Sequence, residues 1–103
     1  GIEWAYIPHF YYNFYVYQYA TSITASSQLA ANMRADSALK KPVTKSRDGY
    51  LKMLSSGSSK YPLNLLEDAG VDMTTSGPFN AAIKEMNGVM DEMEKLLGQK
   101  PGR

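Results

Sequence analysis

No Lys, Arg, Asp or Glu interrupts the chain between Glu3 and Arg34. A run that long without charge is ordinarily taken out of water, so it fixes where the buried surface must come from. Its first half is dense in rings. Pro8 to Thr21, PHFYYNFYVYQYAT, holds the only histidine, five of the eight tyrosines and two of the three phenylalanines. Tyr and His bury an apolar body but need partners for their polar tips. Many hydroxyl-bearing rings beside one imidazole therefore point to a lined cavity, such as a substrate cleft.

Composition narrows what else the chain can be. With 103 residues it is one domain at most, with a modest core. A net charge of +1 gives no electrostatic handle on nucleic acid or an anionic membrane surface, and neither is expected as a partner. The absence of cysteine excludes disulfides, thiolate zinc sites and cysteine nucleophiles. It also fits a reducing compartment, and a cytoplasmic location is expected. A transmembrane reading of the uncharged run is opposed by His9, Asn13, Gln18, Thr21 and Gln28, which are costly in hydrocarbon. The chain opens at Gly1 inside sequence that reads as structured, so we expect the tail of a longer polypeptide, with any leader upstream.

The periodicity predicts an all-α chain. Residues 1–9 read as an approach strand or loop, since Pro8 disfavours helix at Ile7. An aromatic helix is expected over 10–34, starting at about Phe10 or Asn13. Tyr12, Tyr15, Tyr19 and Ile23 lie along one of its faces and Phe10, Phe14 and Tyr17 along another. With both faces apolar, this helix should be nearly surrounded by protein. Two short helices follow within 46–70: one capped by Ser46 and burying Tyr50, Leu51 and Leu54, the other opened by Pro62 and ended by Gly70. The second should turn Leu63, Leu66 and Ala69 inward. A final helix over 78–98 carries Phe79, Ala82, Ile83, Met86, Val89, Met90, Met93, Leu96 and Leu97 at helical spacing, read as a packing stripe. GQKPGR closes the chain as a tail.

The chain cannot do metal chemistry alone. One histidine and no cysteine cannot supply three or four nitrogen or sulfur ligands to zinc, so no metal ligand is assigned here. Glu67-Asp68 and Asp91-Glu92-Glu94 read as solvated helix faces. There is no Gly-x-Ser-x-Gly elbow, phosphate-binding glycine loop or dinucleotide fingerprint. The His-Tyr group differs. A histidine at a helix start, with tyrosines three and four residues apart, can present several donors to one developing oxyanion. An aromatic core whose hydroxyls bond backbone or water fits the composition too.

IPHFYYNFYVYQYAT closely resembles a segment near the C-terminus of the oligoendopeptidase F family of zinc metallopeptidases, relatives of thimet oligopeptidase. DGYLKMLSSGSSKYPLNLLEDAGVDM continues the resemblance in order and at similar spacing, so that it covers about residues 4–80. The resemblance implies a mostly helical peptidase of two lobes clasping a deep channel. In it zinc is held by an H-E-x-x-H helix and a downstream glutamate, and short peptides are cut at internal bonds. It also implies that a histidine and tyrosines of this segment bind the substrate carbonyl and stabilise the tetrahedral oxyanion. His9 matches the family's histidine. Tyr15 is the first choice for the oxyanion donor, Tyr12 the second and Tyr17 a fallback. Tyr11 and Tyr19 are expected to pack or line the channel.

Two departures matter. H-E-x-x-H is absent, so the zinc ligands and catalytic glutamate should lie upstream, and this chain alone should neither bind zinc nor cleave peptides. Where the family commonly has glycine after Ala-Thr, this chain has Ser22. Taken alone, the chain should expose much of residues 10–33 and associate with the upstream part of the polypeptide or with another copy of itself. The rival readings are a stand-alone helical module binding a peptide or partner helix, and a relative that keeps this wall but has lost the metal motif.

Overall fold

The computed structural model describes residues 1–98; of the expected tail, residues 99–103 lie outside them. The described residues are all-α. Two 3-10 turns, Glu3–Tyr6 and Pro8–Tyr11, lead into helices α1 (Tyr15–Ala38), α2 (Lys45–Ser55), α3 (Pro62–Asp68) and α4 (Gly77–Gly98). No strand occurs among the described residues.

The core forms where the second half of α1 meets α2, α3 and the turn after it. Ala25, Leu29, Ala69 and Val71 are buried, with Met33, Tyr50, Met53, Leu66 and Met73 packed around them. Val71 is the best enclosed, at 1% exposure. Its position follows from the end of α3. Gly70 takes φ +89°, a conformation open to glycine, and donates its N–H to the Glu67 carbonyl at 2.9 Å. The Val71 N–H reaches back to the Leu66 carbonyl at 2.8 Å. This is the paired closure of a Schellman end, with Val71 against Leu66 as its apolar contact. Asn32 of α1 fastens the same turn by donating to the Gly70 carbonyl at 3.2 Å.

Helix α2 begins after Thr44 rather than after Ser46. The Ser46 N–H donates instead to the Asp36 carboxylate, ten positions earlier on α1, at 2.8 Å. That backbone bond, with the Ser46 hydroxyl, holds the Asp36 carboxyl below the usual carboxylate range. A long-range cap thus replaces the local one. Inside α2, Tyr50 and Met53 meet the core, whereas Leu51 and Leu54, expected to be buried, stand exposed. Of the residues expected to turn inward on α3, Leu66 and Ala69 do so and Leu63 stays exposed.

The bounds of the aromatic helix and the packing of the α4 stripe need correction. The residues read as an approach loop form two 3-10 turns, and α1 starts at Tyr15 and runs to Ala38, not from 10 to 34. The late start has a local cause: Phe14 adopts φ 56°, ψ 8°, the left-handed region, which cannot continue a right-handed helix. The aromatic helix is open within this chain, as expected of the chain taken alone. Thr24, Ala25 and Leu29 are buried, but from Val16 to Ala20 every side chain faces solvent. The stripe of α4 is likewise open. It meets α1, and an exposed Arg34–Glu85 ion pair at 2.7 Å links the two helices; Ala81 and Ala82 are partly buried, while Phe79, Met86, Val89, Met90 and Met93 remain exposed.

Candidate functional site

The break at Phe14 decides the geometry of the His-Tyr group. In an unbroken helix His9 and Tyr15 would stand about 9 Å apart along the axis, on faces about 120° apart. Instead Pro8 opens a 3-10 turn through Tyr11, the chain extends at Tyr12, and Phe14 turns it sharply into α1. The Tyr15 N–H donates to the Tyr12 carbonyl across this bend at 3.2 Å. A bulky residue in the left-handed region costs about 1–2 kcal/mol. The bend carries the imidazole back over the first turn of α1.

There the rings meet. His9 stacks on Tyr15, with centroids 5.2 Å apart and planes inclined by 25°. Tyr12 sets its edge against both, at 6.3 Å from His9 and 5.9 Å from Tyr15. Tyr19, one turn further along α1, meets Tyr15 edge to face at 5.5 Å, and the two hydroxyls lie 3.3 Å apart. Tyr15 is therefore the hub. It is half-buried by its neighbours, while His9, Tyr12 and Tyr19 face solvent. The hydrogen bond with Tyr15, followed by that phenol's charge and slight desolvation, holds the Tyr19 proton above the usual phenol range.

The other two sequence-predicted tyrosines stand apart. The Tyr11 hydroxyl donates to the Ala5 carbonyl at 2.8 Å, so its proton fastens the first 3-10 turn. Tyr17 follows Tyr15 by two residues, about 200° around the helix. It lines a groove of about 810 Å³ between α1 and the α2–α3 pair, together with Ala25, Leu29, Met53 and Leu66. Cluster and groove thus lie on different sides of α1, and Tyr17 cannot substitute for Tyr15 by a small rotation. Ser22 also lines the groove, its small side chain keeping that wall low.

Sequence reasoning left two features undetermined. It put Tyr15 and Tyr19 on one face, but the i, i+4 spacing is shared by Tyr11 and Tyr15, so spacing alone does not pick out the hydroxyl pair. The Phe14 backbone carried no signal, because phenylalanine is a poor candidate for positive φ. As for metal, no group of three or more His, Asp or Glu side chains is placed to hold an ion among the described residues. Nor is any described helix long and apolar enough to cross a membrane.

The sequence pattern of peptidase family M3 matches residues 3–85, and the chain belongs to that family. Among curated relatives it is 47% identical to oligopeptidase PepF of Bacillus subtilis (strain 168) over 97 residues, 94% of this chain. It is 45% identical to the plasmid oligoendopeptidase F of Lactococcus lactis subsp. cremoris over 95 residues, 92% of this chain. Group B oligopeptidase PepB of Streptococcus agalactiae serotype III (strain NEM316) is 40% identical over 97 residues, 94% of this chain. The chain spans 14% of the length of the first and 15% of the other two. No solved structure matches it significantly.

Proposed function

We propose that this chain is the substrate-facing wall of a zinc-dependent oligopeptidase that hydrolyses internal bonds of short peptides in the cytoplasm. The metal and its ligands belong to an upstream part of the same polypeptide. The observation that carries this reading is the gathering of His9, Tyr12 and Tyr15 into one solvent-open patch of touching rings. Membership of the family and the oligopeptidase names of the relatives support it. So does the shape: the radius of gyration is 17.9 Å, against about 13 Å for a compact domain of this size. Large open apolar faces on an extended body suit one part of a larger assembly better than a stand-alone module.

The described residues do not fit a zinc site, so none is assigned to one. When bound elsewhere in the polypeptide, zinc supplies Lewis acidity and a water of lowered pKa. The task left to this wall is to hold the peptide carbonyl and meet the charge that develops on its oxygen. Tyr15 suits the central role because rings on three sides fix its phenol, so little reorganisation is needed as charge appears. Tyr12 and His9 supply donors beside it, and the His9 stack sets the Tyr15 ring plane. Tyr11 contributes by tying the turn that carries His9 to the first 3-10 turn through the Ala5 carbonyl, and Tyr17 by lining the groove on the far side.

The full-length protein tests this reading. It should cut an unstructured peptide of about ten residues and leave the same sequence uncut inside a folded domain. Treatment with a chelator should abolish cleavage and zinc should restore it. Cleavage that survives complete removal of zinc, or that extends to folded proteins, would remove the proposal. A protein that binds peptide and never cleaves it would favour the binding-module reading instead.

A further inference from the structure

Two phenol hydroxyls in contact share one hydrogen bond, so one gives its proton to the pair and the other directs its proton outward. Tyr15 and Tyr19 stand in this relation, with their oxygens 3.3 Å apart and their rings edge to face. The two phenols are not equivalent. Tyr15 is half-buried at the hub, against the rings of His9, Tyr12 and Tyr19, whereas Tyr19 sits at the rim, 60% exposed. Among the described residues the Tyr15 hydroxyl has no other hydrogen-bond partner in the protein.

We propose that Tyr19 is a positioning residue that donates its hydroxyl proton to the Tyr15 oxygen, leaving the Tyr15 proton directed at the substrate carbonyl. This rests on the reading of Tyr15 as the oxyanion donor. It replaces the expectation of Tyr19 as a channel-lining residue with a definite role. A hydroxyl that accepts a hydrogen bond is a stronger donor at its other side, since the bonds of a chain polarise one another. At 3.3 Å the contact is longer than the usual O–H···O distance of about 2.7–2.8 Å. Catalytic hydrogen bonds are often loose before substrate arrives and tighten in the complex. The Tyr19 bond therefore gains most when negative charge develops beyond Tyr15, which places its effect on kcat and not on substrate binding.

Tyr19→Phe in the full-length protein removes the hydroxyl and keeps the ring against Tyr15. With a short fluorogenic peptide we expect kcat to fall roughly fivefold, the worth of one neutral hydrogen bond. KM, zinc content and melting temperature should stay unchanged. In a Tyr15→Phe background the same substitution should cost nothing more. An equal loss in both backgrounds would make Tyr19 an independent contact and overturn the inference, as would a change in KM alone or no change at all. If Tyr15→Phe itself turns over normally, the oxyanion reading fails and this inference fails with it. A slow Tyr15→Phe beside a normal or additive Tyr19→Phe overturns the inference alone.

Discussion

Full-length protein carrying His9→Ala or Tyr15→Phe is expected to turn over peptide roughly 10²–10³ times more slowly, the usual effect of losing one oxyanion donor. Tyr15→Phe deletes a single oxygen from the hub of the cluster while its ring still meets His9, Tyr12 and Tyr19. A loss of that size is thus assigned to the hydroxyl and not to packing. His9→Ala acts twice, since it removes an imidazole donor and the ring stacked on Tyr15. The two substitutions together should cost less than the product of their separate factors, as expected of groups that act as a unit. Zinc content should equal that of the unmodified protein, because neither residue is a ligand in this account. Steady-state kinetics with parallel metal analysis decides it, and an unchanged kcat in both variants would remove the assignment.

The second large effect concerns stability. Leu29→Ala should cost roughly 2–5 kcal/mol, the range for emptying a buried leucine site. Leu29 is 6% exposed and lies where α1 meets the α2–α3 core. A core this small supplies only about 3–5 kcal/mol in total, so the substitution takes most of what the isolated chain has. Circular dichroism during urea titration should show a cooperative transition for the unmodified chain and none for Leu29→Ala. Leu54→Ala, at a position 60% exposed, should leave the midpoint of the isolated chain within about 0.5 kcal/mol of its original value. Equal losses at the two positions would mean that the packing described here is wrong.

The parts of this fold that were legible in the sequence are those set by local chemistry. Pro62 and Gly70 bracket α3, and Pro78 stands in the first turn of α4, because proline suits a first turn and glycine suits an end. What was hidden depended on distant partners or on strain. Asp36 caps α2 from ten residues away, so Ser46 looked like the local cap it is not. Leu51 and Leu54 share a helix with Tyr50, but only the contact surface shows which of them α1 and α3 reach. The apolar faces of α1 and α4 read as core because amphipathic reasoning assumes that their cover is present. In this chain they remain open.

The candidate site shows the same division. His9 and the tyrosines could be named from their residue types and from the family likeness, but not their grouping. A regular helix from Phe10 would have left His9 on a different face from Tyr15. The left-handed Phe14 brings them together, and no propensity argument favours a phenylalanine there. Helical angles did place Tyr17 away from Tyr15, and the 810 Å³ groove accounts for that second face.

The most direct measurement is a crystal structure of the full-length protein with a phosphinic peptide, whose tetrahedral phosphorus stands in for the hydrated peptide carbon. The account predicts a zinc-bound phosphinyl group with one oxygen about 2.5–3.0 Å from Tyr15 Oη and His9 within reach of the same group. A ligand bound at zinc with the His9–Tyr15 stack packed against another part of the protein, out of contact with it, would contradict the account.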